Sequence, residues 1–428
     1  MKMDTRRDFI RKGMLGATAS VGIPSLINDS FAGLTSVSAK LPDLLEAGRS
    51  DKVLLLIQLE GGNDGLNTVI PIENDRYYRS RKNIAIKKED ALPLNETQRL
   101  HPEMKFFAEQ YKGGKLAVIN NVGYDMPNRS HFRSGAIWQS ALEDAVMKNE
   151  MELKAGTGWL GRYFDEHCAG ESNLVGVYHG DAALAMRGMG FDGTSISDLQ
   201  TEPFGFLKLR DQMIKDPAFR VLQKKTAGNK KKNKVSFVRN IAEETLVASD
   251  EMEKFMAELK RNGNGFPNTS LGKQLGLISQ FIIQGSSTRV FLARIGGFDT
   301  HSNQLKSHAS LMKQIDEAVK AFMLQMRSVL LEDKVAIMTF SEFGRQLKEN
   351  GTAGTDHGAA APMFILGGGV KGGVIGKPPE LKGEKVHGFG GLAHEVDFRS
   401  VYRSVIEQFL RVESDRIISD KYKPIKLF

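Results

Sequence analysis

At 428 residues the chain can bury a full core and hold one large α/β domain or two smaller ones. Its 41% hydrophobic and 26% charged residues are the balance of an ordinary globular protein. The net charge of +8 owes much to Lys224-Lys225, Lys230-Lys231-Lys232 and Lys234, which lack interleaved aromatics and any nucleic-acid motif; they read as solvated loops, and nucleic acid is not an expected partner.

The chain opens on Thr5-Arg6-Arg7-Asp8-Phe9-Ile10-Arg11-Lys12. A weakly apolar run from Met14 to Ile23 follows, too short and too rich in Gly and Ala for a stable transmembrane anchor. Small residues at Ser30-Phe31-Ala32 and Val37-Ser38-Ala39 suit a cut. We read residues 1–39 as a twin-arginine export signal and linker, with the export machinery as a partner and a periplasmic or secreted mature protein. The single cysteine, Cys168, precludes an intramolecular disulfide despite that oxidising destination, so stability rests on the core.

Residues 40–428 read as one α/β domain. Val53 to Leu59 is an apolar run broken only by Gln58, as expected of a strand buried on both faces of a parallel sheet. A helical stretch from His101 to Tyr111 and a second run from Lys115 to Asn120 follow at βαβ spacing. The segment from about 211 to 281 reads as a helical insertion. Val290–Ala293 and Val335–Phe340 are further strands, separated by an amphipathic helix with Leu311, Ile315, Val319, Phe322, Met323 and Met326 on its apolar stripe. His308 is expected on the surface of that helix. Met363–Leu366 is another strand, and Asp397 caps a final helix that runs to Leu410. The predicted fold is a mostly parallel sheet sandwiched between helices.

Polar residues cluster beside these strands, where an α/β sheet lines its ligand crevice. Asp64 lies in the Gly-rich turn after the first strand, either as a turn former or as a cation ligand. That turn lacks GxGxxG spacing, and its carboxylate would repel a pyrophosphate. Asp299 and His301 follow another strand, Glu342 and Arg345 a third, and His357 precedes the strand at Met363. Carboxylates with neutral imidazoles suit a divalent metal. Glu342 is read as a metal ligand or as a local ion-pair partner of Arg345, and Arg345 otherwise as an anion clamp. Ser130 begins a helix, either as an ordinary N-cap or as a nucleophile. Arg129 beside it is a candidate for holding an anionic group.

Taken together, the arginine-pair leader, Glu60–Asn67, Asn128–Phe132, Gly297–His301, Phe340–Arg345 and Gly354–Gly358 resemble the uncharacterised bacterial family called domain of unknown function 1501. That family looks like a distant branch of the alkaline phosphatase and sulfatase superfamily. The resemblance implies an alkaline-phosphatase-like fold with Asp64 as first ligand, Ser130 as nucleophile, Asp299 with His301 as a ligand pair, then Glu342 and His357. Two departures stand out: Asp299 and His301 are two apart rather than four, and Ser341-Glu342-Phe343 contains no His. The implied activity is hydrolysis of a phosphate or sulfate ester with one or two divalent ions (Zn, Mn, Mg or Ca), on a small anionic or polysaccharide-derived substrate. The alternative is a non-catalytic exported binding protein on the same fold.

Because the export pathway reads the arginine pair itself, the Arg6→Lys, Arg7→Lys double variant is expected to accumulate as cytoplasmic precursor. Cell fractionation measures this, and normal periplasmic accumulation would refute it.

Overall fold

The computed structural model describes residues 52–143, 156–168, 176–179, 183–189, 193–196, 265–283, 285 and 288–428. The expected leader and most of the expected helical insertion lie outside the described residues.

The strands are β1 (Val53–Leu59), β2 (Val69–Ile70), β3 (Leu92–Pro93), β4 (Arg99–Leu100), β5 (Leu116–Gly123), β6 (Gly176–His179), β7 (Thr194–Ile196), β8 (Val290–Ile295), β9 (Val335–Phe340), β10 (Ala361–Gly367), β11 (Gly373–Ile375) and β12 (Val396–Asp397). The helices are α1 (Gly65–Thr68), α2 (Asp75–Ser80), α3 (Lys105–Lys112), α4 (His131–Ser140), α5 (Trp159–His167), α6 (Ser270–Ile283), α7 (Gln304–Ser328) and α8 (Phe398–Ser404). Among the described residues nine strands form the main sheet in the order β11-β5-β10-β9-β1-β8-β6-β7, with β12 beside β5. A small antiparallel sheet joins β2, β4 and β3.

The first strand shows why the sheet is central. Successive side chains of a strand point to opposite faces. Leu55, Ile57 and Leu59 accordingly enter a core with Phe106 and Phe107 of α3, Leu275 of α6 and Phe322 of α7. Leu54 and Leu56 enter a second core with Trp138 of α4, Trp159 of α5 and Tyr402 of α8. Two apolar faces on one strand require helices on both sides, and the continuous apolar run is the local record of that requirement.

Most pairings are parallel: β1 with β8 and β9, β6 with β7 and β8, and β5 with β11 and β12. The exception is β10, antiparallel to both β9 and β5. It also separates strands that the spacing suggested were neighbours, since β9 and β10 intervene between β1 and β5. An antiparallel strand begins where its parallel neighbours end. The loop before β10 therefore lies at the same sheet edge as the loops after β1, β5, β8 and β9.

The stripe expected on α7 is buried as predicted, but His308 is a correction: it is 1% exposed. Its position one turn before Leu311 and Met312 places it on the same inward face. At the other end of the chain Asp397 caps α8, its Oδ1 accepting from the Arg399 amide at 2.9 Å, and a π-turn over Val405–Phe409 continues the helix.

The loops after β1 and β8 touch backbone to backbone. Gly61 has φ +116°, and a Cβ there would stand 2.3 Å from the Asp299 amide nitrogen. Both the left-handed backbone and the close approach oppose any side chain. Gly61→Ala is expected to destabilise the fold by roughly 2–4 kcal/mol, read from urea unfolding.

Candidate metal centre at the carboxyl edge

Five segments meet at this edge. They follow β1 (Gly61–Asp64), β5 (Arg129–His131), β8 (Phe298–His301) and β9 (Ser341–Arg345), or precede β10 (Thr355–His357). The guanidinium of Arg345, 1% exposed, joins most of them. Its Nε donates to the Gly62 carbonyl at 2.8 Å and its Nη1 to the Thr355 carbonyl at 2.9 Å. Nη2 donates to the Gly61 carbonyl, to the Phe298 carbonyl at 2.8 Å and to Asp299 Oδ1 at 2.7 Å. Arg345 is thus not the free anion clamp read from the sequence. Its donors are committed to the protein because several strand-end loops turn carbonyl oxygens toward one buried point.

Around Asp299 stand three imidazoles. His357 Nε2 and His301 Nε2 each lie 3.0 Å from Asp299 Oδ1, and His131 Nε2 lies 3.5 Å from Oδ2. The two nitrogens Nε2 of His301 and His357 are also 3.0 Å apart. Each ring is held from behind at Nδ1: His131 by Glu342 Oε1 at 2.8 Å, His301 by Asp356 Oδ1 at 3.0 Å, and His357 by the Arg129 carbonyl at 2.8 Å. Phe343, 1% exposed, packs against the rings of His131 and His357 with centroids 5.0 and 4.7 Å away. Ligand atoms of His131, Asp299 and His357 all fall within 4.8 Å of one another, an arrangement that can hold a metal ion.

Burial alone would raise the Asp299 carboxyl, but its surroundings, the hydrogen bond from Arg345 foremost, outweigh burial and hold the group at about 2. The hydrogen bond to Glu342 raises His131 above the ordinary imidazole value.

The structure therefore gathers Asp299, His301 and His357 directly. Glu342, 4% exposed, reaches the cluster only through His131 and also accepts the Gly61 amide at 2.8 Å. His131 is the residue that the sequence reading passed over. It lies inside the Asn128–Phe132 segment, one residue after the serine; a His at the first position of a helix, after a strand-end loop, is the signal that marks it. Ser130 occupies the N-cap position of α4, and its side chain makes no capping bond. It is exposed, as is Arg129, whose guanidinium lies 4.6 Å over the Phe389 ring.

Asp64 lies at the same edge but in a separate, buried network. Its Oδ2 accepts from Arg81 Nη1 at 2.6 Å and from Gln304 Nε2. Its Oδ1 accepts from Arg81 Nη2 at 2.9 Å and from the Leu66 amide at 3.2 Å. Burial would raise this carboxyl, yet the Arg81 charge and hydrogen bonds hold it below its ordinary value. Asp64 is not brought into the imidazole cluster, because a guanidinium and an amide already satisfy it. His308 completes the network, its Nε2 3.0 Å from Asn63 Oδ1 and its ring edge-on to His101.

A family model described as a protein of unknown function (DUF1501) matches residues 51–390. Among curated proteins none matches. Among solved structures, the soluble domain of lipooligosaccharide phosphoethanolamine transferase A from Neisseria meningitidis is similar at 10% identity and TM-score 0.38, over 88% of this chain and 93% of that one. A protein in the alkaline phosphatase superfamily from Vibrio parahaemolyticus is similar at 10% identity and TM-score 0.39, over 92% and 78%. The PsFucS1 sulfatase from Pseudoalteromonas sp. is similar at 10% identity and TM-score 0.36, over 92% and 74%. At these values no residue role or activity is carried across.

The buried network makes two tests possible. Asp64→Asn leaves a buried guanidinium without its counter-charge and is expected to cost roughly 3–5 kcal/mol in urea unfolding. Burial also pushes His308 down to about 4 and His101 to about 3. An unfolded chain takes up these protons below pH ~6.5 whereas the fold refuses them, so the associated stability is complete above that pH and is lost as pH falls toward 4. The unfolding midpoint should drop across that window, and less steeply in His308→Gln.

Proposed function

The chain belongs to the DUF1501 family, and from that premise and the geometry of the edge cluster we propose that it is an exported metal-dependent hydrolase of a phosphate or sulfate ester. One observation carries the reading: three imidazoles from separate segments present Nε2 to a single carboxylate, while each Nδ1 is bound from behind by an oxygen. A carbonyl or ionised carboxylate oxygen only accepts, so Nδ1 carries the proton and Nε2 of a neutral ring presents a lone pair. Lone pairs facing a carboxylate oxygen and one another call for a cation between them, and imidazole with carboxylate fits a divalent metal. The donor set thus suits the ion that the resemblance implies, with Asp299, His131 and His357 to hold it and His301 beside them. Bound there, the ion would supply a positive charge to polarise the anionic ester oxygens.

The chain's own residues supply the rest. Ser130 sits at the positive end of α4, next to His131, with its hydroxyl not spent on its own helix. In this reading the Ser130 oxygen gives up its proton and forms the new bond to phosphorus or sulfur as the ester's alkoxide leaves and takes a proton; water then attacks the Ser130 ester, releasing phosphate or sulfate and restoring the hydroxyl. Arg129, exposed and steadied over Phe389, is placed to hold a charged oxygen of the substrate. Arg345 acts indirectly, keeping Asp299 ionised and oriented. Export through the arginine-pair leader delivers the folded, loaded protein outside the cytoplasm, where polysaccharide-derived and other extracellular esters are the substrates to be expected.

A second reading, a non-catalytic exported binding protein, draws on Met126 and Phe132. These flank Arg129 and Ser130 and are 89% and 87% exposed. An apolar rim of that kind suits a polysaccharide or cell-surface partner.

A screen of phosphate and sulfate esters, run with metal-loaded protein and with Ser130→Ala, separates the readings. The hydrolase reading expects turnover that falls by at least about a thousandfold in the variant, with little change in unfolding midpoint, because no capping bond is removed. Full activity in Ser130→Ala would eliminate the serine as nucleophile. Absence of turnover on every ester, with retained binding of a polysaccharide, would favour the second reading.

A further inference from the structure

We infer that the site holds one divalent ion, on His131 Nε2, His357 Nε2 and the Asp299 carboxylate with His301 beside them, and that two further expected ligands, Asp64 and Glu342, serve the protein and bind no second ion. The inference refines the metal content of the proposed site and rests on that reading only for where the ion sits.

Asp64 is the clearer case. Its two oxygens already accept four hydrogen bonds, from Arg81 twice, Gln304 and Leu66. Arg81 is itself fully engaged. Nε donates to the Leu347 carbonyl at 2.9 Å, Nη1 to Asn67 Oδ1 at 2.8 Å and Nη2 to the Gln346 carbonyl at 2.8 Å, besides the two bonds to Asp64. All five N–H groups of this guanidinium have acceptors, and both side chains of the ion pair are 0% exposed. A metal at Asp64 would have to displace a buried cation that no water could then solvate. The place of a second ion is filled by an arginine.

Glu342 is committed in another way. Its Oε1 accepts from the Gly61 amide and from His131 Nδ1, each at 2.8 Å, which sets it across the His131 ring from Asp299 and fixes which nitrogen His131 presents. A carboxylate behind a ligating imidazole orients the ring and raises its basicity. Glu342 is therefore a positioning residue for His131, as the Arg129 carbonyl is for His357.

Ligand chemistry then narrows the metal. Two imidazole nitrogens and one carboxylate suit Zn²⁺ or a similar first-row transition ion, whereas Ca²⁺ and Mg²⁺ prefer sites built from oxygen. With the ion on His131, His357 and Asp299, whose ligand atoms fall within 4.8 Å of one another, and His301 outside that set, three protein ligands leave a coordination position open for substrate, as in a catalytic rather than a closed structural site.

The test counts ions rather than turnover. Mature protein stripped with a chelator and dialysed against Zn²⁺, or separately Co²⁺ or Ca²⁺, is assayed by elemental analysis and titration calorimetry. One Zn²⁺ or Co²⁺ per chain is expected, with Ca²⁺ bound at least a hundredfold more weakly. His131→Asn and His357→Asn should weaken the ion at least a hundredfold. Glu342→Gln should retain a stoichiometry of one with affinity reduced about 10–100-fold. Asp64→Asn, checked for folding by circular dichroism, should still bind one ion; should it fail to fold, the paired change Asp64→Leu, Arg81→Met, which removes both charges, takes its place. Two ions per chain, preferential Ca²⁺ binding, undiminished affinity in His131→Asn, or loss of the ion from a folded Asp64 variant would each overturn the inference. A protein that binds one Zn²⁺ but hydrolyses no ester would sink the hydrolase reading and leave this one standing.

Discussion

The guanidinium of Arg345 is the contact on which the carboxyl edge depends. The loops after β1 and β8 and the loop before β10 turn together against the β9 loop here, and each presents carbonyl oxygens to its arginine. Arg345 answers those of Gly61, Gly62, Phe298 and Thr355 and places its charge against Asp299. A buried carbonyl without a donor costs roughly 1–3 kcal/mol, so one side chain that serves several loops determines whether they can pack at all. Lysine would present a single point charge on a flexible stem and could not match acceptors in so many directions.

The same arrangement fixes the electrostatics of the cluster. A carboxylate among three imidazoles could otherwise turn toward solvent, since its side chain is 47% exposed. Arg345 holds it ionised from the buried side and leaves the open side to the rings. Each ring is then set by an acceptor on a different segment, Glu342 after β9, Asp356 before β10 and the Arg129 carbonyl after β5. Orientation thus rests on a network whose members restrain one another, and such networks are cooperative when every member is satisfied.

Arg81 and Asp64 form a second pair that balances charge more deeply, with His308 and His101 kept neutral nearby. The two arginines divide the edge. One neutralises a carboxylate that is shut away from solvent, the other orients a carboxylate that faces it, and this difference in exposure separates a structural acid from a candidate ligand. Short range in sequence plays no part in either pairing: Arg345 and Asp299 lie 46 residues apart, and Arg81 and Asp64 lie 17 apart.

Much was legible in the order of residues alone. The apolar runs at Val53–Leu59 and Val335–Phe340 declared strands, the first buried on both faces, because a two-residue period with no polar face leaves no side for water. The stripe on α7 declared its buried face, and Asp397 its helix start, since both signals are local to a turn or two. Polar residues beside strand ends marked the edge where Asp299, His301 and His357 meet. What the order of residues left undecided was which polar atoms face each other. Asp64 and Glu342 look in sequence like the ligands they resemble; only the folded chain sets Arg81 against the first and His131 against the second. His131 gained its place from a carboxylate 211 residues away, and His308 its burial from the packing of α7 on the sheet. Periodicity is written along the chain, whereas hydrogen-bond partnership is settled by distances that exist only once the strands have been ordered, and the insertion of antiparallel β10 between β5 and β9 brings His357 to the site.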